Sequence, residues 1–303
     1  MRWDRGSCTS AMIVIGCLFV TSDAIAQASS SSDQIAFDRP EAWAMKYFTS
    51  ATSLSGLATP ERLMPGSLAI QFETGWLPTL SPADELVGFN GTAPEDLNMA
   101  PVFVRPRVAL GLPHGLTVIV AVDPPIRAFG VTPRLLALGL EGTIHDAGPW
   151  HFGWRADGQI GTVTAAFTCP ANVVAFAPGS VNNPTGCTAQ SMDSTTLRYA
   201  GAEFQAARSI GRLVPHAAAG ANVVDSVFQT NAQTFGLPDH TRLQTTGATF
   251  SMSAGVGYVL NQRFTLSADV YFAPLTVRRM AGSASSIDPM VNVRALVSYQ
   301  VTR

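Results

Sequence analysis

Between residues 246 and 258 apolar and polar positions alternate without a break. Thr246, Ala248, Phe250, Met252, Ala254, Val256 and Tyr258 share one side, and Gly247, Thr249, Ser251, Ser253, Gly255 and Gly257 the other. Successive side chains of a strand point to opposite faces, so this run predicts a strand with one apolar face and one small, polar face. Residues 263–272 repeat it: Phe264, Leu266, Ala268, Val270 and Phe272 oppose Thr265, Ser267, Asp269 and Tyr271. Residues 291–301 do so again, with Val291, Val293, Ala295, Val297, Tyr299 and Val301 against Asn292, Arg294, Leu296, Ser298 and Gln300. Earlier candidates are 67–76, 102–112, 115–123, 131–143, 150–167, 195–208 and 213–224, which makes about ten strands. Pro106, Pro133 and Pro215 each remove a ladder donor inside one of these segments, and the Ala-rich stretch 217–221 has little strand propensity.

The links alternate in length. Short ones fall near 112–114, 142–149, 209–211 and 260–262, and long ones at 77–101, 124–130, 168–194, 225–245 and 273–289. A soluble sandwich has no reason to sort its connections in this way, whereas a membrane barrel has short turns on its inner side and long loops outside. With that topology Trp76, Tyr199 and Phe272 fall at outer strand ends and Trp150, Tyr258, Phe264 and Tyr299 at inner ends, as two aromatic girdles would.

Only the N-terminal part departs from the period of two. Arg2 and Arg5, the apolar stretch 11–20 and Ala24-Ile25-Ala26 predict a cleaved secretory signal over residues 1–26. A lipoprotein reading of Val14-Ile15-Gly16-Cys17 competes less well, because the apolar run before it is very short. Ser29 to Ser32 is a polar linker, and Asp38-Arg39-Pro40-Glu41 opens a helix that runs to about Ser50. Trp43, Tyr47 and Ser50 fall on one side of it, beside Ala44, Phe48 and Ala51, so the helix is expected at the membrane surface or packed against the barrel. Export leaves Cys169 and Cys187, an even pair in an oxidising compartment and hence an expected disulfide across a long outer loop.

Composition narrows the class further. The 303 residues are 47% hydrophobic but only 13% charged, and no apolar run after the N-terminus approaches the roughly 20 residues of a spanning helix. A net charge of -2 offers no basic patch for nucleic acid.

Taken together, these residues resemble the single-chain outer-membrane β-barrel proteins of Gram-negative bacteria, over the signal and residues 67–303. The resemblance implies an all-β fold: an antiparallel transmembrane β-barrel of about ten strands with short periplasmic turns, long extracellular loops and a short N-terminal helix. It divides the chain into a signal peptide (1–26), a linker with the short helix (27–66) and the barrel (67–303). It places the mature protein in the bacterial outer membrane, with lipid around it. It also implies the outer-membrane insertion machinery as a partner during biogenesis, which reads a terminal strand of the kind formed by Val291, Val293, Ala295, Val297 and Tyr299, here followed by Gln300 to Arg303.

Several enzymes share this architecture. An omptin-like protease would show an Asp-x-His pair, and a phospholipase-like or lipid A deacylase-like barrel a His with Ser two residues on; His114, His145, His151, His216 and His240 fit neither. No Gly-x-Ser-x-Gly elbow occurs, and Gly255-Val256-Gly257 sits mid-strand without the context of a phosphate loop, so its small residues are read as relieving crowding. No catalytic residue, cofactor or metal cluster is predicted. The expected role is a narrow channel or transporter for small or apolar solutes. A structural or adhesive barrel whose outer loops bind a partner is the alternative, with an enzyme carrying an unrecognised site third.

Two residue sets follow from the alternation. Phe250, Met252, Val256, Leu266, Val270, Val293 and Val297 are expected to face lipid. Glu73, Arg105, Arg107, Glu141, Arg155, Asp157, Asp269 and Arg294 are expected in the lumen, where paired charges fill a narrow barrel and fix register. Glu73 and Asp269 are the first candidates to pair with Arg105, Arg107 and Arg294, because an unpaired buried charge is too costly.

Overall fold

The computed structural model describes residues 32–57, 63–280 and 282–302, so the signal read over 1–26 lies outside the described residues. Ten strands form the wall: β1 (Leu68–Trp76), β2 (Val102–Leu112), β3 (Leu116–Asp123), β4 (Thr132–Ala147), β5 (Trp150–Ala165), β6 (Asp193–Arg208), β7 (Leu213–Gln229), β8 (Arg242–Val259), β9 (Phe264–Ala273) and β10 (Met290–Gln300). Each pairs antiparallel with its neighbour in sequence, and β10 returns to β1 through pairs from Val293↔Trp76 to Gln300↔Ala69, closing the barrel. No helix among the described residues is long and apolar enough to cross a membrane. The strands do what a helix does there: closure pairs backbone groups between neighbours and leaves no edge around most of the circumference.

The two faces separate as the alternation requires. Phe250, Met252, Val256, Leu266, Val270, Val293 and Val297 lie on the outside, each between 39 and 63% exposed, as do Phe72, Val104 and Leu138. Ser251, Ser253, Ser267 and Asp269 face inward and are buried. The inner aromatic girdle forms: Trp150, Phe152 and Phe204 stack along neighbouring strands, and the Phe264 and Tyr299 rings lie 4.7 Å apart. At Gly255 an added Cβ would stand 2.1 Å from the Ala268 carbonyl oxygen, so the glycine serves close strand approach.

Three sequence expectations need correction. Helix α1 (Pro40–Ala51) neither lies on the membrane surface nor packs outside the wall; it is buried inside the outer end of the lumen. Its small residues Ala42, Ala44, Thr49, Ser50 and Ala51 keep it slim enough for the bore. Its anchors are internal: Trp43 Nε1 donates to the Asp288 carbonyl (2.9 Å), and Lys46 Nζ donates to the Phe37 (2.6 Å) and Thr276 (2.7 Å) carbonyls. Tyr199 is no girdle residue, because its side chain points inward and its hydroxyl donates to Asp157 (2.6 Å). The β7–β8 hairpin also rises further than the apolar pattern indicated, to Gln229↔Arg242. Polar side chains brace that extension, with Gln244 Nε2 donating to Asp225 at 2.9 Å.

Outside, Cys169 and Cys187 are bonded, with Cα atoms 5.6 Å apart, and both are buried against Val173, Val174 and Ala232. Asn183 ties the same loop, donating to the Phe176 (3.0 Å) and Cys187 (2.9 Å) carbonyls and accepting from the Cys187 N–H (2.7 Å).

Two outcomes are expected. Met252→Arg places a guanidinium against hydrocarbon near mid-strand and should lower barrel stability by about 2–4 kcal/mol in denaturant titrations in phospholipid vesicles. Replacing both cysteines by Ala should cost the β5–β6 loop about 3 kcal/mol of local stability. Amide exchange should then accelerate between residues 170 and 191 while the β5–β6 ladder keeps its protection.

Candidate functional site

Three lumen arginines meet around a single carboxylate. Glu73 on β1 is fully buried and accepts from Arg107 Nε at 2.8 Å, with Arg105 Nη1 at 3.7 Å and Arg294 Nη1 at 3.9 Å. Arg105 also reaches Asp123 at 3.0 Å, and Arg155 is shared between Glu141 and Glu203, each at 3.0 Å. Asp269 accepts instead from the Leu57 N–H at 2.6 Å, although it stands directly across from Arg294 in the ladder. Sequence alternation placed seven of these charges inside, together with Asp157; Asp123 and Glu203, on inward positions of β3 and β6, complete the network.

These arginines do more than pair with acids. After α1 the chain continues down the lumen through residues 52–57, and its carbonyls face opposite walls in turn. Arg294 on β10 donates to Ser53 (2.8 Å) and Ser55 (2.7 Å), while Arg155 on β5 donates to Leu54 and Gly56 (2.8 Å each). Strands β10 and β5 stand five places apart in either direction around the ring. The N–H groups are met too, Leu54 by the Tyr199 hydroxyl (2.7 Å) and Gly56 by Glu203 (3.0 Å). Arg294 also reaches Ser50 (2.9 Å), Ala51 (3.3 Å) and Asn292 Oδ1 (3.0 Å), so all five of its N–H donors are used. The axis of the barrel is therefore filled by backbone and ion pairs.

The open space lies to one side. Strand β3 has eight residues against sixteen in β4, and Pro124 and Pro125 end it. The β2–β3 ladder stops at Arg107↔Ala121, next to Pro106, which has no N–H to continue it. Residues 102–106 of β2 consequently pair with β1 alone, and residues 132–134 of β4 with β5 alone. Between them the wall is breached. A cavity of about 530 Å³ occupies the breach, and its lining joins residues of both faces. Phe72 and Val104 belong to the outer surface, at 54 and 59% exposed, whereas Phe48 and Ala51 of α1 and Leu135 and Leu197 of the wall face inward. Ile126 and Phe129 of the β3–β4 loop flank the mouth. Nearly all of the lining is apolar. At the floor Asp123 is held by Arg105, and Thr52 hands its carbonyl to the same guanidinium, which seals the cavity from the charged lumen.

Such a chamber can hold an apolar solute of drug-like size. Among the described residues no three His, Cys, Asp or Glu side chains gather as a metal site. From sequence Phe48 falls in a helix, Leu97 and Ile126 in loops, and Phe167 at the end of a strand that in the structure stops at Ala165; the one signal for the breach is the pair Pro124-Pro125 ending a short apolar run.

No protein-family model matches the chain, and no curated protein sequence is significantly similar to it. Solved structures with a related course include the outer membrane protease OmpT of Escherichia coli, at 9% identity and a TM-score of 0.39 over 82% of this chain and 98% of that one. The translocator domain of the autotransporter NalP of Neisseria meningitidis gives 10% and 0.40 over 80% and 91%. The Pseudomonas putida toluene transporter TodX gives 10% and 0.34 over 89% and 99%. Likeness at this level transfers no role to this chain. What the ten-strand closure and the apolar outer face establish is a small single-chain β-barrel of the outer-membrane type, with no member of that class singled out.

Proposed function

We propose that this protein is an outer-membrane route for small apolar solutes, passing them sideways through the breach between β2 and β4 rather than along the barrel axis. The observation that carries the reading is the apolar cavity whose lining includes both the outward side chains Phe72 and Val104 and the plug residues Phe48 and Ala51. An apolar solute leaving such a cavity meets hydrocarbon at the mouth, so it never has to cross the charged lumen. The filled axis supports the same division: residues 50–57 and the arginine network occupy the space an ion would need.

A barrel that binds a partner through its outer loops is the second reading. Phe176, Val181, Phe235 and Leu237 favour it, since all four are apolar and exposed on those loops.

Two measurements test the first reading. In a planar bilayer the refolded wild-type protein should pass no steady ion current, and Arg294→Ala, which frees four plug carbonyls, should introduce intermittent conductance. Cells producing the protein should take up radiolabelled ethylbenzene faster than cells without it, and Ala128→Trp, which fills the mouth of the breach, should abolish the gain. Equal uptake with and without the protein would remove the proposal.

A further inference from the structure

Across Phe48, Leu97 and Phe167 from the breach lies a second cavity, of about 150 Å³, beneath the outer loops. An apolar protein cavity of about that volume accommodates one benzene ring. Its body is apolar, with Met45, Phe48, Phe167, Phe228 and Leu243 around it, but one end is not. There Glu95 is only 8% exposed, and neither its Oε2 nor the buried Thr168 hydroxyl makes a well-formed hydrogen bond, although the two stand close enough to interact.

The surroundings keep that carboxyl unserved. It backs onto Gly88, where a Cβ would stand 2.6 Å from Glu95 Oε1. The nearby acid Asp193 is committed to the Thr168 N–H (2.8 Å), Ser191 (2.6 Å) and the Asn231 N–H (2.9 Å). Arg39, which also lines the cavity, is held by Glu41 at 2.6 Å. Burial foremost, with the negative charges of Asp193, Asp239 and Glu41 adding to it against the Thr168 hydroxyl, pushes the Glu95 carboxyl up to about 8. A buried carboxyl with an unmet oxygen destabilises the loops that hold it, and a donor from a ligand would remove that penalty.

We infer that this cavity binds a one-ring amphiphile with a hydrogen-bond donor, a hydroxyl or an ammonium group, directed at Glu95 and Thr168 while the ring lies among Phe48, Phe167 and Phe228. Occupancy here needs no passage through the wall, so the inference goes beyond the lateral route and does not depend on it.

Three nearly isosteric probes separate the possibilities: ethylbenzene, benzyl alcohol and benzylamine, titrated calorimetrically into the full refolded barrel in detergent. Benzyl alcohol or benzylamine should bind about tenfold or more tightly than ethylbenzene. Glu95→Leu should erase that preference while melting no lower than wild type, because it removes an unmet buried oxygen. Thr168→Val, which loses only a poorly bonded hydroxyl, should narrow the preference and serves as the test should Glu95→Leu fail to fold. Ala128→Trp should leave the Glu95-dependent binding of benzyl alcohol and benzylamine unchanged, which keeps this site distinct from the breach. Absence of binding by all three probes, equal binding of all three, or an undiminished preference in Glu95→Leu or Thr168→Val would overturn the inference.

Discussion

A chain running down the axis of a barrel has no neighbouring strand, so side chains of the wall must meet its backbone groups. In this protein Arg294 and Arg155 reach from opposite walls and take alternate carbonyls of residues 53–56, with Tyr199, Glu203 and Asp269 meeting the N–H groups of Leu54, Gly56 and Leu57. Each buried guanidinium loses hydration worth several kcal/mol. Charged hydrogen bonds contribute about 1.5–3 kcal/mol apiece, so an arginine that uses every donor can offset the loss and one that keeps only some cannot. The arrangement is therefore cooperative in both directions: the plug neutralises unmet donors of the wall, and the wall neutralises unmet groups of the plug.

That mutual dependence decides what space remains. With the axis occupied, free volume is pushed to the side, where strand pairing is incomplete. Pairing is also incomplete along the outer half of β8, which rises beyond the end of β9, their ladder beginning only at Met252↔Phe272. There the N-terminal segment covers the gap: Asp33 and Gln34 pair parallel with Leu243 and Gln244, and Phe37 packs onto Gly247. Among the described residues no strand pairs across the breach between β2 and β4. Its residues suit an open wall, because Pro106, Pro124 and Pro133 line it and have no N–H for the missing ladder to leave unpaired. Prolines that weaken a strand in isolation are what let a wall stay open here.

The outer loops obey a different rule. They lie in water, where irregular backbone is easily satisfied, and they are ordered by local ties: the disulfide, Asn183, and Asp193 with its three donors. Phe89 and Asn90 take left-handed conformations, with φ of 48 and 60°, and Glu41 holds that turn through the Asn90 N–H at 2.6 Å. Helix α1 thus joins the two regimes, its far end gripped by lumen arginines and its start serving the loops. Phe48, whose ring lies 5.5 Å from Phe167, separates the two cavities.

The wall was legible from sequence because strand periodicity and membrane solvation act residue by residue. Met252 must face outward and Ser251 the lumen whatever the neighbouring strands are, and Cys169 and Cys187 are the two cysteines outside the segment read as a signal. The inward placement of Arg105, Arg155 and Arg294 was legible for the same reason. Their partners were not, since a carbonyl of Ser53 or Gly56 carries no side-chain signal in the sequence. Helix α1 shows the limit most plainly: its pattern fits any concave apolar surface, and only the bore left by ten closed strands decided that it would enter the lumen instead of lying outside. The breach likewise needed the tertiary structure, because Pro106 and Pro124 are far apart in the chain and become one opening only when the register of β2, β3 and β4 sets them side by side.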